Sequence, residues 1–289
     1  MKAGTRTSKL ALAQTQQVIQ ELKKHTTEKI EKTLIKTTGD KITSSQLYNI
    51  DSKGLFTKEL DKAVLEEEVD FAVHSLKDVP TELPENLEII AIPPRESPNE
   101  ILISTKPWNQ LEPGTTLGTS SLRREAFCNH HQKKFKLKPI RGSIETRLQK
   151  TLKGECDATI MAEAGLKRLG LTQHITETFP TNYIMPPAGQ GALAIITRND
   201  TPHKELIKKL NHYTSSQEVL AEKTVLDTLG IGCQWPLGAI AKTKNNTITL
   251  ESILLNKKGE ILCKATEKGN IADAYDIGKK VANKMEDYI

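Results

Sequence analysis

Short apolar, β-branched runs alternate with stretches of helical period along the first two-thirds of the chain, and this alternation restricts the fold more than any other feature. Residues 9–24 carry Ala11, Thr15, Val18 and Leu22 on one helical face. Residues 33–37 read as a strand, 57–68 as a helix with Phe56, Leu60, Ala63 and Val64 on one stripe, and 70–75 and 87–92 as strands. The pattern resumes after Pro93, Pro94 and Pro98 with strands at 101–104 and 115–119, a helix over 121–133 and a strand at 135–140. A helix over 143–153, a strand at 157–162 and a helix over 162–170 follow. Such alternation predicts α/β domains with mostly parallel sheets. In these, ligands bind outside the carboxyl ends of the strands, where helix N-termini present unpaired N–H groups.

The prolines at 93–98 and the pair at 186–187 read as two crossing points between domains. Strand 192–197 follows the second crossing and is expected to return to the first sheet. The expected domains are therefore 1–93 with 192–212, then 97–186, then 214–289. The last comprises a helix at 214–229, strands at 237–243, 247–255 and 260–266, and a helix at 271–287.

Composition narrows the function. No run of about 18 apolar residues is present, so no membrane span is expected. The polar start MKAGTRTSKLALAQ lacks the apolar core of a secretory signal, so a cytoplasmic location is expected. Cys128, Cys156, Cys233 and Cys263 are too far apart for the usual zinc spacings; no metal is expected, and free thiols are. A net charge of +5 spread along the chain and 4% aromatic residues argue against a nucleic-acid partner and for an anionic small molecule. Lysines outnumber arginines 33 to 8, so the arginine positions carry information. The guanidinium fork grips a carboxylate with two parallel bonds, which lysine cannot do. Arg6, Arg123, Arg124, Arg141, Arg147 and Arg168 all fall beside short polar or glycine-containing turns.

Five segments concentrate the chemistry. In GTRTSKLALAQ (4–14), Thr7 or Ser8 caps a helix behind Arg6, either as an ordinary cap or as part of an anion site. In LGTSSLRREAF (117–127), a strand end, three hydroxyls and Arg123–Arg124 converge within one turn; the bland alternative is a capped helix with a solvated basic face. In RGSIETRL (141–148), Arg141 precedes a helix that carries Arg147, which faces a ligand or pairs with Glu145. VHSLKDVPTELP (73–84) places Ser75, Lys77 and Asp78 after a strand, a position suited to proton transfer or to a simple turn aspartate. His74 reads as a core or hydrogen-bonded residue rather than a ligand. GIGCQWPLGA (230–239) puts Cys233 among glycines on a loop, as an exposed thiol. No P-loop, hydrolase elbow or GxGxxG is present, which argues against a dinucleotide enzyme.

Taken in series with DSKGLFTKEL (51–60), AEAGLKRLG (162–170) and PPAGQGALAI (186–195), these segments resemble the porphobilinogen deaminase (hydroxymethylbilane synthase) family over residues 4 to 240. The resemblance implies two periplasmic-binding-protein-like domains around a cleft plus a small α/β C-terminal domain. It implies a monomeric enzyme that condenses four porphobilinogen units into hydroxymethylbilane, releasing ammonia, on the way to haem. Cys233 matches the cysteine that carries a dipyrromethane cofactor through a thioether, and Asp78 the catalytic aspartate. Arg6, Arg123, Arg124, Arg141, Arg147 and Arg168 match the carboxylate clamps, and Ser8, Ser75, Lys77, Thr119, Ser121 and Gln190 the supporting polar groups. Lys53 and Lys58 fall in a loop that covers the cleft in the family. Two cofactor rings and four substrate rings bring about twelve carboxylates, and burying each unpaired costs several kcal/mol, so an arginine-rich site is required.

The chain departs from the family pattern at Asp51 and Ser52, where glycines are usual, and at Ser143, where asparagine is usual. It departs also at Ile196, Thr197 and Trp235. A binding protein for an acidic small molecule, without chemistry, shares the cleft and the arginine turns but leaves Cys233 and Asp78 idle.

Overall fold

The computed structural model describes residues 1–41, 54–232 and 235–289. Its strands are β1 (Lys2–Arg6), β2 (Glu31–Ile35), β3 (Phe71–Ser75), β4 (Leu87–Ala91), β5 (Glu100–Ser104), β6 (Thr116–Gly118), β7 (Lys136–Lys138), β8 (Ala158–Ala162), β9 (Glu177–Phe179), β10 (Leu193–Arg198), β11 (Leu237–Lys244), β12 (Thr247–Leu255) and β13 (Ile261–Asn270). Its helices are α1 (Lys9–Leu22), α2 (Thr38–Lys41), α3 (Lys58–Leu65), α4 (Leu122–His130), α5 (Ile144–Leu152), α6 (Glu163–Arg168), α7 (Lys204–Lys208), α8 (Tyr213–Thr228) and α9 (Ala274–Asn283). They form two compact units: Met1–Glu96 with Gly191–Ser216, and Ser97–Gln190 with Gln217–Ile289.

The first unit holds a five-stranded sheet in the order β2-β1-β3-β10-β4. β1 runs parallel to β2 and β3, while β10 runs antiparallel to β3 and β4. Alternation along β3 assigns its faces. Phe71 and Val73 join Val18, Ile19 and Leu22 of α1 in one core, while His74 meets Asp61 of α3. β10 returns to this sheet, as expected of a strand that follows the second crossing.

The second unit repeats the plan. Its sheet has the order β7-β6-β8-β5-β9, with β6 parallel to β7 and β8, and β5 antiparallel to β8 and β9. The two five-stranded sheets thus share one plan of strand order and pairing. Neither sheet is mostly parallel: in each, the strand that follows a crossing enters antiparallel to both neighbours, so two pairings of four are parallel.

A three-stranded antiparallel sheet, β11-β12-β13, completes the second unit and makes its C-terminal part a small α/β domain. Alternate residues of β12 enter two cores. Ile248, Leu250 and Leu254 pack with Val225, Ile277 and Val281 of α8 and α9, while Ile253 and Leu255 join Trp108, Phe127 and Phe179. The β12–β13 turn docks on the end of α4, where Asn129 Nδ2 donates to the Lys257 carbonyl at 2.8 Å. Gly259, at φ +86°, approaches so closely that a Cβ there would lie 2.2 Å from the His130 nitrogen. The final helix is shorter than its sequence pattern predicts. β13 continues pairing to Asn270, whose side chain accepts from Ala272 N at 2.9 Å and opens a single tight turn before α9.

Candidate active site

In the first unit, β1 and β3 are parallel neighbours, so the segments after them emerge at one edge of the sheet. β1 ends in Arg6, and Ser8 caps α1, its hydroxyl accepting from Ala11 N at 3.3 Å. β3 ends in Ser75, whose hydroxyl accepts from Gln14 Nε2 of α1 at 2.9 Å. The tight turn Leu76–Asp78 follows. Leu76 and Val79 are buried and anchor this turn, while Asp78 is exposed and Lys77 half-buried between them. The Arg6 guanidinium lies 4.4 Å above the Phe56 ring, a cation–π contact. Lys58 is exposed at the first position of α3 and is not in a loop, because its N–H closes a helical turn onto the Gly54 carbonyl at 3.0 Å. Lys53 lies outside the described residues.

Behind the β3 turn sits a pair not singled out in the sequence. Asp61 and His74 are 3% and 4% exposed, with Oδ1 and Nε2 3.6 Å apart and neither atom hydrogen-bonded. Burial pushes the Asp61 carboxyl up to about 6 and the His74 imidazole down to about 4, the latter helped by Arg6. The sequence signal was the register itself: His74 alternates with the apolar face of β3, and Asp61 follows buried Leu60.

In the second unit, β7, β6 and β8 are adjacent and parallel. All the remaining arginines expected to form clamps follow their carboxyl ends. Thr119 to Arg124 follow β6, Arg141 to Arg147 follow β7, and Glu163 to Arg168 follow β8. Ser121 caps α4 by accepting from Arg124 N at 3.4 Å, and Thr119 Oγ1 accepts from Ser121 N at 3.2 Å. Ser143 caps α5, accepting from Thr146 N at 3.2 Å. Serine at this departure suits the cap as well as the asparagine expected from the resemblance, since both are favoured N-caps. Trp235, another departure, packs against the core of α8, α9 and the C-terminal sheet. Arg141, Arg147 and Arg168 are half-buried.

Arg123 and Arg124 differ from the other arginines of these turns. They are 5% and 8% exposed and share Glu100, which is fully buried at the start of β5. Arg123 Nη2 donates to Glu100 Oε1 and Nη1 to the Met185 carbonyl. Arg124 grips the same carboxylate with Nε and Nη2, at 3.1 and 2.8 Å. Gln190 is also buried; its amide donates to the Pro98 carbonyl at 2.8 Å and fastens the first crossing segment. Glu222 of α8 is fully buried and accepts from Gly189 N at 2.7 Å and Ala241 N at 2.8 Å. Neither Glu100 nor Glu222 stood out in the sequence. The available signal was an acidic residue opening an apolar strand, or set inside an otherwise buried helix.

Cys128 and Cys156 are buried and Cys263 is half-buried. Burial pushes the Cys128 thiol up to about 12 and raises that of Cys263, so neither is an activated nucleophile. Cys233 lies outside the described residues. Among the described residues, no His, Cys, Asp or Glu group of three could hold a metal, and no helix is long and apolar enough to cross a membrane.

Residues 1–206 match the family model "Porphobilinogen deaminase, dipyromethane cofactor binding domain", and residues 216–287 match "Porphobilinogen deaminase, C-terminal domain". The chain is 60% identical to a probable porphobilinogen deaminase of Methanothermobacter thermautotrophicus over the full length of both. It is 39% identical to the porphobilinogen deaminase of Desulforamulus reducens, covering 98% of this chain and 93% of that one. Among solved structures, a TRAP periplasmic solute binding protein from Desulfovibrio salexigens is similar at a TM-score of 0.43 and 14% identity, over 73% of this chain and 71% of that one. Matched by the family's models in both of its parts and by a relative along its entire length, the chain belongs to the porphobilinogen deaminase family.

Proposed function

We propose that this chain is a cytoplasmic, monomeric transferase that condenses four porphobilinogen units head to tail into hydroxymethylbilane, with one ammonia released per unit. Its primer is a dipyrromethane held through a thioether to Cys233. The observation that carries this reading is the placement of three arginine-bearing turns after three adjacent parallel strands of the second unit. Each substrate ring bears an acetate and a propionate, and guanidinium forks are the side chains that bind such groups with two parallel bonds.

The residues also suit a dipyrromethane, whose rings carry the same two acids. Arg141, Arg147 and Arg168 supply the forks, with Ser121 and Thr119 alongside at the end of β6. When bound, the dipyrromethane supplies the pyrrole α-carbon that acts as nucleophile. Asp78 presents its carboxylate from an anchored, exposed turn, where it accepts pyrrole N–H groups, offsets positive charge as ammonia leaves, and takes up the α-proton. Ser75, fixed by Gln14, and Lys77 orient groups beside it.

Incubation with porphobilinogen tests the proposal. Consumption should be matched by ammonia one for one, and the product should cyclise on standing, with loss of water, to a uroporphyrinogen that air then oxidises to a coloured uroporphyrin. Asp78→Ala should slow turnover by about 10²–10⁴-fold while keeping its fold, because only a proton-handling group is lost. A wild-type chain that consumes no porphobilinogen contradicts the reading, and an active Asp78→Ala contradicts the role of Asp78.

A further inference from the structure

Resting on that reading, we propose that Glu100 is a positioning residue: its carboxylate locks Arg123 and Arg124 side by side and fixes the edge on which Arg124 meets a substrate carboxylate. The placement follows from the sheet. β5 runs antiparallel to β8 and pairs Glu100 with Ala162, so the first residue of β5 lies at the carboxyl end of β8. That is the edge from which the arginine turns emerge. A fully buried carboxylate there reaches both guanidinium groups.

Two arginines in the first turn of α4 are unfavourable on their own. They sit at the positive end of the helix dipole, are like-charged, and are almost entirely withdrawn from water. Glu100 offsets one of the two charges and leaves a net positive pair. It also divides the labour between them. A guanidinium has two edges that fit a carboxylate in bidentate fashion, one formed by Nε and Nη2 and one by the two terminal nitrogens. Glu100 occupies the first edge of Arg124. A substrate carboxylate therefore engages the Nη1–Nη2 edge, at an orientation set by Glu100. Arg123, held by Glu100 and the Met185 carbonyl, is the fixed support against which Arg124 is aligned. Glutamate is required because aspartate is shorter by one carbon–carbon bond, about 1.5 Å, and loses one of the two partners.

Glu100→Gln and Glu100→Asp in the full chain, with Arg124→Lys and the double variant Glu100→Gln/Arg124→Lys, provide the test. Steady-state kinetics with porphobilinogen should show KM raised about ten- to a hundredfold in both Glu100 variants, with kcat falling less. In the Arg124→Lys background Glu100→Gln should add little, because it acts through Arg124. An unchanged KM in folded variants overturns the proposal and leaves Glu100 a stability residue. A lowered KM in Glu100→Gln overturns it differently, showing that Glu100 serves only to dampen positive charge. Arginine Nε–H resonances of the wild-type chain, assigned with Arg123→Lys and Arg124→Lys, are read in parallel. Slow guanidinium rotation at both residues is expected, and rapid rotation at Arg124 overturns the clamp even when the Glu100 variants do not fold. A wild-type chain that holds its arginines rigidly but consumes no porphobilinogen would refute the function and preserve the clamp.

Discussion

Asp61→Asn removes one of two titrating groups buried together between α3 and β3 while preserving the side chain's size. In the wild-type chain burial above all, assisted by the Glu59 charge, moves the Asp61 carboxyl from 3.8 to about 6. Between those pH values the folded chain holds a proton that the unfolded chain has released. This contribution to stability is complete below pH 3.8 and is lost as pH rises through 6, a loss of about 3 kcal/mol. His74 runs the other way. Burial first, and Arg6 second, move it from 6.5 to about 4. The unfolded chain then binds the extra proton, so this contribution is complete above pH 6.5 and is lost as pH falls through 4, again about 3 kcal/mol. The two slopes oppose each other between pH 4 and 6, and the wild-type pair shows little net dependence there. Urea unfolding of both proteins from pH 4 to 7.5 isolates Asp61 in the difference between them. Stability of Asp61→Asn relative to wild type should climb by about 3 kcal/mol up to pH 6.5 and then level off. A difference that stays flat with pH would show that Asp61 titrates alike in the folded and unfolded chains, and would refute the assignment of a desolvated carboxyl.

Two further substitutions probe the second unit. Gly259→Ala combines an unfavourable positive φ with a collision against the His130 backbone; it should destabilise by about 2 kcal/mol or more in urea unfolding, whereas Gly114→Ala, with open space around it, should cost only the φ penalty of about 1 kcal/mol. Glu222→Ala strands two buried N–H groups, on Gly189 and Ala241, and should cost about 3 kcal/mol, with Glu222→Gln recovering part of it through the remaining carbonyl oxygen. Equal stabilities of the alanine variant and wild type would remove Glu222 as the tie between the glycine loop and β11.

The alternation of strands and helices was legible because most strands are short apolar runs bounded by prolines, glycines or polar turns. β1 was not, since KAGTR has one β-branched residue and depends on β2 and β3 on either side of it. β9 and α7 were missed for a similar reason: three and five residues stand only through tertiary contacts. The candidate site was legible at the level of segments. The turns carrying Arg141, Arg147 and Arg168 follow parallel strands, as α/β logic requires. What the sequence hid was pairing at long separation. Arg123 and Arg124 were conspicuous as adjacent arginines, yet nothing local reveals that Glu100, more than twenty residues earlier, takes hold of both. Gln190 likewise looks like a polar loop residue until its amide is seen to fasten Pro98. Helical and strand periods report which face a residue occupies, whereas partners from other elements are set by sheet order.

Intact mass of the purified chain beside Cys233→Ser, before and after incubation with porphobilinogen, tests the central claim most directly. The wild-type chain should be heavier by two porphobilinogen units less two ammonias, and should gain further units on incubation. Cys233→Ser should keep the bare polypeptide mass throughout. A wild-type chain that stays unmodified with substrate, or a variant that still acquires the adduct, would contradict the account.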